Sequence, residues 1–102
     1  MAASKIRDIK SGMRNLTITG RVVEEEPTKE VMTRYGPAKV AAAMLTDDTG
    51  TVRLNLWRDQ IEKVRTGDLV TIENAFATTF SGHVELNIGS DGRITSVRPM
   101  GQ

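Results

Sequence analysis

The side chains able to do chemistry in this chain are aromatic and basic, and most fall between Arg34 and Phe80. Three of the four aromatic residues, Trp57, Phe76 and Phe80, lie in the stretch from Thr51 to Gly89, TVRLNLWRDQIEKVRTGDLVTIENAFATTFSGHVELNIG. The fourth, Tyr35, opens a Tyr-Gly-Pro turn and directly follows Arg34. In TVRLNLW, Val52, Leu54 and Leu56 alternate with Arg53, Asn55 and Trp57, so the single Trp shares a strand face with polar residues. A packing role alone would put it on the aliphatic side. An aromatic ring left in solvent can stack on a planar ligand, and Arg34, Lys39 and Arg53 could hold anionic groups beside it. Asn55 could hydrogen-bond the edge of such a ligand. Each has a plainer explanation as well. Trp57 could cap the core, Phe76 and Phe80 could close a hairpin, Tyr35 could serve the turn alone, and the cations could simply be solvated.

Catalysis has little to work with. The lone His83 has no Cys or other His beside it, so no zinc site is expected and no cofactor is implied. Asp47 and Asp48 are adjacent, which sends them to opposite faces of an extended chain or to a turn, a poor arrangement for paired acid–base work. No glycine cluster has phosphate-loop spacing. The expectation is a binding protein and not an enzyme.

Composition narrows the class further. At 102 residues, with 38% hydrophobic and 26% charged residues, the sequence suits one small globular domain. That domain is expected over residues 1–102, its core at about 6–98 and its ends short and flexible. No apolar run approaches a membrane span, and MAASKIRDIK has no signal-peptide apolar block. The chain has no cysteine, which fits a cytoplasmic setting. A net charge of +1 is too small for polyelectrolyte attraction alone to hold a nucleic acid tightly. Stacking or local clustering of charge would be needed, and the segment from Arg34 to Arg58 carries four basic residues against Asp47 and Asp48.

The elements that must position these residues read mostly as strands. Ile6, Ile9 and Met13 suggest a turn or one helical turn plugging the end of a barrel. Leu16 to Glu25 reads as a long first strand, with Gly20 at a bend or bulge. Lys29 to Ala38 reads as a loop, Lys39 to Asp47 as the second strand, and Asp47-Asp48-Thr49-Gly50 as a hairpin turn with Gly50 at positive φ. Thr51 to Trp57 is the third strand. A short helix follows over Asp59 to Arg65, with Asp59 as N-cap, Glu62 at capping-box spacing and Gly67 ending it. Leu69 to Ala77 and His83 to Ile88 are the fourth and fifth strands, joined by a turn around Gly82. Ser90-Asp91-Gly92 reads as a turn into a last short strand, Arg93 to Val97.

Five strands with a helix between the third and fourth is the order of an all-β OB fold, a small Greek-key barrel. Such barrels bind ligands across strands 2 and 3, framed by the loops joining strands 1–2 and 4–5. Those places hold Lys39, Arg53, Asn55 and Trp57, then Arg34 and Tyr35, then Phe76 and Phe80. All four aromatics thus fall on the ligand side, while the expected core is wholly aliphatic.

With those residues in hand, the sequence resembles the single-OB, single-stranded-DNA-binding proteins of archaea and their eukaryotic relatives in DNA-damage sensing. The segments that carry the resemblance are DIKSGMRNLTITGRVVE, TDDTGTVRLNLW and GDLVTIENAFATTFSGHVELNIG. The resemblance implies that Trp57, Phe76 and Phe80 form a base-stacking platform. Some members carry a further aromatic on the fifth strand, where this chain has Asn87. Members often continue into a Gly/Arg-rich or acidic tail that recruits partners, whereas this sequence ends at Gln102. The expected partner is single-stranded DNA, bound with little sequence preference during replication, recombination and repair by a cytoplasmic, nucleoid-associated monomer. RNA is an open alternative, because stacking does not sense the 2′-hydroxyl. A second is an assembly module using the aromatic face against replication or repair proteins.

Overall fold

Residues 4–98 are described by the computed structural model. Among the described residues there are six strands: β1 (Leu16–Glu25), β2 (Lys29–Thr33), β3 (Gly36–Thr46), β4 (Thr51–Trp57), β5 (Leu69–Phe80) and β6 (His83–Arg98). Hydrogen-bonded neighbours run β1-β5-β6-β4-β3-β2, and β1 also pairs with β3. That extra pairing closes β1, β3, β4, β6 and β5 into a five-stranded barrel, with β2 attached outside it as a hairpin arm on β3. The pairing of β4 with β6 is parallel and the others are antiparallel. This is the expected OB barrel, with its helix between the third and fourth barrel strands, here β4 and β5.

Closure is concentrated in β1. Its first half pairs with β5 and its second half with β3, and Arg21 faces Leu69 on one edge and Thr46 on the other. Gly20 stands at the crossing point. A Cβ there would lie 2.8 Å from both Leu45 Cγ and the Thr46 carbonyl oxygen, so only glycine lets β3 come this close. The register shifts expected of a bent strand fall on either side of Gly20, between Leu16 and Ile18 and between Val22 and Glu24.

The core is aliphatic throughout. Ile18, Val22, Leu45, Leu54, Val70, Ile72 and Leu86 are fully buried, as period-2 alternation of their strands requires. The N-terminal plug is a single 3-10 turn, Ile6–Asp8, which buries Ile6 against this core. It is fastened from the far side by Asp47, whose carboxylate accepts the Ile6 N–H at 2.9 Å.

Four details differ from the sequence reading. Lys29 to Ala38 is not a loop but β2, a two-residue turn at Arg34-Tyr35, and the start of β3. The Thr33 hydroxyl donates to the Gly36 carbonyl at 2.7 Å and accepts the Tyr35 N–H at 3.1 Å, while Gly36 takes a φ of +106°. Gly50 does not sit at positive φ. The Asp47 carboxylate makes that turn instead, by accepting the N–H groups of Thr49 and Gly50. The helix is a 3-10 helix over Arg58–Lys63, and Asp59 does not cap it. Gln60 reaches back to accept the Trp57 N–H at 3.0 Å, and Arg58 turns the chain with a φ of +53°. Finally, Ser90-Asp91-Gly92 does not reverse the chain, since β6 runs through it along β5. Gly92 is needed for close approach: a Cβ would lie 2.7 Å from Ile88 Cγ2 and 3.0 Å from the Asn74 carbonyl oxygen.

The Asp47 turn predicts a pH-dependent stability. Burial acts to raise its pKa, but the Thr49 hydroxyl and the N–H groups of Ile6, Thr49 and Gly50 outweigh it and hold the carboxyl at about 2 against an ordinary 3.8. The unfolded chain therefore binds the proton first, so this contribution is complete above about pH 4 and is lost as pH falls through about 2. Asp47→Ala should lower unfolding free energy at neutral pH by about 1.5 kcal/mol, near the low end for bonds to a charged group because the turn is partly solvated. Urea unfolding at neutral and acidic pH checks both size and sign.

Candidate nucleic-acid interface

Strand pairing assembles one outward face. On β4 the side chains of Val52, Leu54 and Leu56 point inward, leaving Arg53, Asn55 and Trp57 outside. The β4 register places Arg53 between Met44 and Glu85, and Asn55 between Ala42 and Asn87. On β5, Thr78 faces Glu85 and Phe76 faces Asn87. Two rungs therefore cross β3, β4, β6 and β5: Met44–Arg53–Glu85–Thr78 and Ala42–Asn55–Asn87–Phe76. Trp57, opposite Val40, occupies the next level.

The aromatic residues border these rungs. Trp57 and Phe76 are half-buried, and Phe80 is 67% exposed. Gly89 lies between the first two: it lines a shallow hollow with Trp57, and a Cβ on it would lie 3.2 Å from Phe76 Cε1. Absence of a side chain at Gly89 gives the Phe76 ring a flat backbone bed. A second hollow, about 300 Å³, has Trp57, Phe80, Arg53, Asn55 and Lys29 among its walls. Phe80 and Arg53 also share a third hollow, farther along β4.

The polar centre is internally bonded. Asn55 Nδ2 donates to Glu85 Oε1 at 2.9 Å and to Asn87 Oδ1 at 3.1 Å, and Asn87 Nδ2 donates to Thr78 Oγ1 at 3.0 Å. Arg53 donates through Nη1 and Nη2 to the two oxygens of Glu26, at 2.6 and 2.9 Å, while its Nε lies 3.5 Å from Glu85 Oε2. This fork-on-fork pairing holds the Glu26 carboxyl below the usual carboxylate range and pushes the Arg53 guanidinium higher still. Every polar group on this floor is preset by another protein group, a condition for positioning a ligand without further ordering cost.

Comparison with known proteins matches this geometry. Residues 9–96 fit the family described as single-stranded DNA binding protein Ssb-like, OB fold. The chain belongs to that family. It is 36% identical over 90 residues to the single-stranded DNA binding protein Ssb of Saccharolobus solfataricus, covering 88% of this chain and 61% of that one. It is 40% identical over 96 residues to replication factor A of Methanothermobacter thermautotrophicus, again covering 88% of this chain but 12% of the relative. The chain thus spans less than two thirds of the length of either. Among solved structures, the OB domain of a Thermoplasma acidophilum protein superposes with a TM-score of 0.81 at 26% identity, covering 92% of this chain and 85% of that one. Ssb-like OB domains are binding modules, so the chain is not an enzyme.

Within this Ssb-like barrel the residues singled out from sequence separate into three groups. Trp57, Phe76, Phe80, Arg53 and Asn55 share the face just described. Arg34 and Tyr35 sit at the exposed tip of the β2–β3 arm, with Tyr35 85% exposed. Lys39 pairs with Glu30 across the arm and alternates away from Val40, the neighbour of Trp57. The cation on Trp57's side is Lys29, opposite Val40. Sequence reasoning passed over it because β2 read as a loop; the alternation of Lys29, Val31 and Thr33 was the available signal. It also left the centre of the face without acids, whereas Glu26 and Glu85 converge there on Arg53.

Gly89→Ala should displace the Phe76 ring by a few tenths of an ångström while leaving the barrel intact. Nuclear magnetic resonance would register the shift in the Phe76 ring signals and not in the Leu54 and Leu86 methyls. The stability cost should stay near 1 kcal/mol, the low end for overpacking, because the ring can yield toward solvent.

Proposed function

We propose that this domain binds single-stranded DNA with little sequence preference, bases stacking on Trp57, Phe76 and Phe80 while the backbone passes along the basic rim. The observation that carries the reading is the position of Trp57 and its two aromatic companions on one solvent-facing side, over a core built from aliphatic residues. Every base offers a π-face, so stacking confers affinity without sequence readout. The names of the relatives, a single-stranded DNA binding protein and a replication factor, support the same partner and a place in replication. Recombination and repair, which also expose single strands, are the other settings we assign, for a monomer acting at the nucleoid in the cytoplasm.

Backbone contacts are few in this reading. Lys29 lies on the Trp57 side and Arg34 at the exposed tip of the same arm, while Lys39 could reach a strand only from the other side of the arm. Arg53 is already engaged by two carboxylates, so its charge is not free for a phosphate.

The test uses the single Trp as reporter. Titration with oligo-dT should quench Trp57 fluorescence strongly, and duplex DNA should quench it little. Trp57→Ala should cost about 1–3 kcal/mol of binding, the range for loss of one base–aromatic stack. Two phosphate contacts imply a log–log salt slope of about −1.4 for a single strand, whereas about −5 would mean that a larger basic surface dominates. Absence of quenching in the folded protein would overturn the stacking reading and favour a protein partner on this face.

A further inference from the structure

The arrangement of charge at the centre of the face is opposite to what a simple DNA-binding groove would need. Arg53, the cation of the Met44–Arg53–Glu85–Thr78 rung, is met by Glu26 and Glu85, so the three charges sum to one negative. The carboxylates are not incidental surface groups. Glu85 has only 12% of its side chain exposed, lies beside Arg53 in the parallel register, and has its other oxygen bonded to Asn55. Glu26 grips the guanidinium with both oxygens, and this pairing holds its carboxyl below the ordinary carboxylate range.

We propose that Glu26 and Glu85 are selectivity residues that exclude duplex DNA from the stacking face by holding Arg53 away from phosphates. The inference rests on the single-strand reading above and adds the reason for discrimination. A duplex presents its phosphates outward and hides its base faces. Against this floor it would bring like charge onto Glu26 and Glu85 and gain no stacking in return. A single strand can turn its bases inward, put neutral rings over the acidic floor, and leave its phosphates at the rim near Lys29 and Arg34. Were the carboxylates absent, Arg53 would be a free guanidinium in mid-face, able to take a phosphate from either kind of DNA. The price of selectivity is therefore one backbone contact.

The experiment compares the full chain with E26Q/E85Q, whose glutamines keep size and one acceptor oxygen each but remove both charges. Affinities for oligo-dT and for a duplex of equal length are measured at several salt concentrations. The double variant should bind duplex roughly tenfold or more tighter, with a log–log salt slope steeper by about 0.9, the signature of one added phosphate contact. Its affinity for oligo-dT should rise by a smaller factor, because stacking already supplies most of that binding, so the preference for single strand over duplex should narrow. Retained quenching of Trp57 by oligo-dT shows that the face is intact. If the double variant unfolds, E26Q alone, altering the more exposed partner, should move duplex affinity and slope in the same direction. Unchanged or weaker duplex binding by a variant that still binds oligo-dT would overturn the proposal while leaving the single-strand reading standing. Failure of the unaltered protein to bind oligo-dT would overturn both.

Discussion

The structure depends on the contact of β1 with two strands at once. Because β1 leaves β5 and joins β3 over Arg21, the sheet has no choice but to close, and the crossing is possible only where Gly20 has no Cβ to collide with Leu45 and Thr46. Closure has a consequence on the opposite side of the barrel. It brings β6 alongside β4 in parallel, although the two are joined through β5 and not to each other. That pairing sets Glu85 beside Arg53 and Asn87 beside Asn55. The face is thus a product of barrel closure, and no local segment could form it alone.

Inside and outside follow different chemistry for a physical reason. A small closed barrel has room for branched aliphatic side chains, which interdigitate well, and the buried residues here are of that kind. Aromatic rings are displaced to the outside, where they cost solvation until something covers them. Trp57 and Phe76 reduce that cost by lying half-buried, Phe76 over the bare backbone of Gly89. Phe80, at the end of β5, has no such bed and stays exposed. The rings are also anchored through their backbones. Gln60 fixes the Trp57 N–H, and Arg58 accepts a left-handed φ to turn the chain away immediately after it.

Much of this was legible from residues alone, and the parts that were not share a cause. Alternation in β4, β5 and β6 separates inward from outward side chains because period 2 is a local property. It assigned Trp57, Arg53 and Asn55 to one face without any knowledge of tertiary structure. Gly20 announced a bend for the same reason. The β2–β3 arm was missed because it lies outside the barrel: Lys29, Glu30 and Met32 are exposed, so the alternation of Val31 and Thr33 against Glu30 and Met32 is a weak signal. Gly92 was mistaken for a turn because glycine signals either a reversal or a close approach, and only the neighbouring Ile88 and Asn74 decide which. Least legible was the Arg53 clamp, whose partners stand 27 residues before it and, on β6, far after it. Their meeting depends on the register of β6 and on the path of the chain past the end of β1.

The clamp also changes what the near-neutral charge means. A protein that relies on counterion release needs free cations along its groove, and its affinity then falls steeply with salt. Here the central guanidinium is neutralised internally, the amides are bonded to one another, and free charge is left to the rim. Such a floor is rigid before any ligand arrives, so little rotamer entropy remains to be lost on binding. Favourable contact must then come from rings that are already oriented and from burial of their exposed apolar area. Under the proposed single-strand reading, such a surface would discriminate by access to base faces instead of by total negative charge, and its weak net charge would be part of that selection.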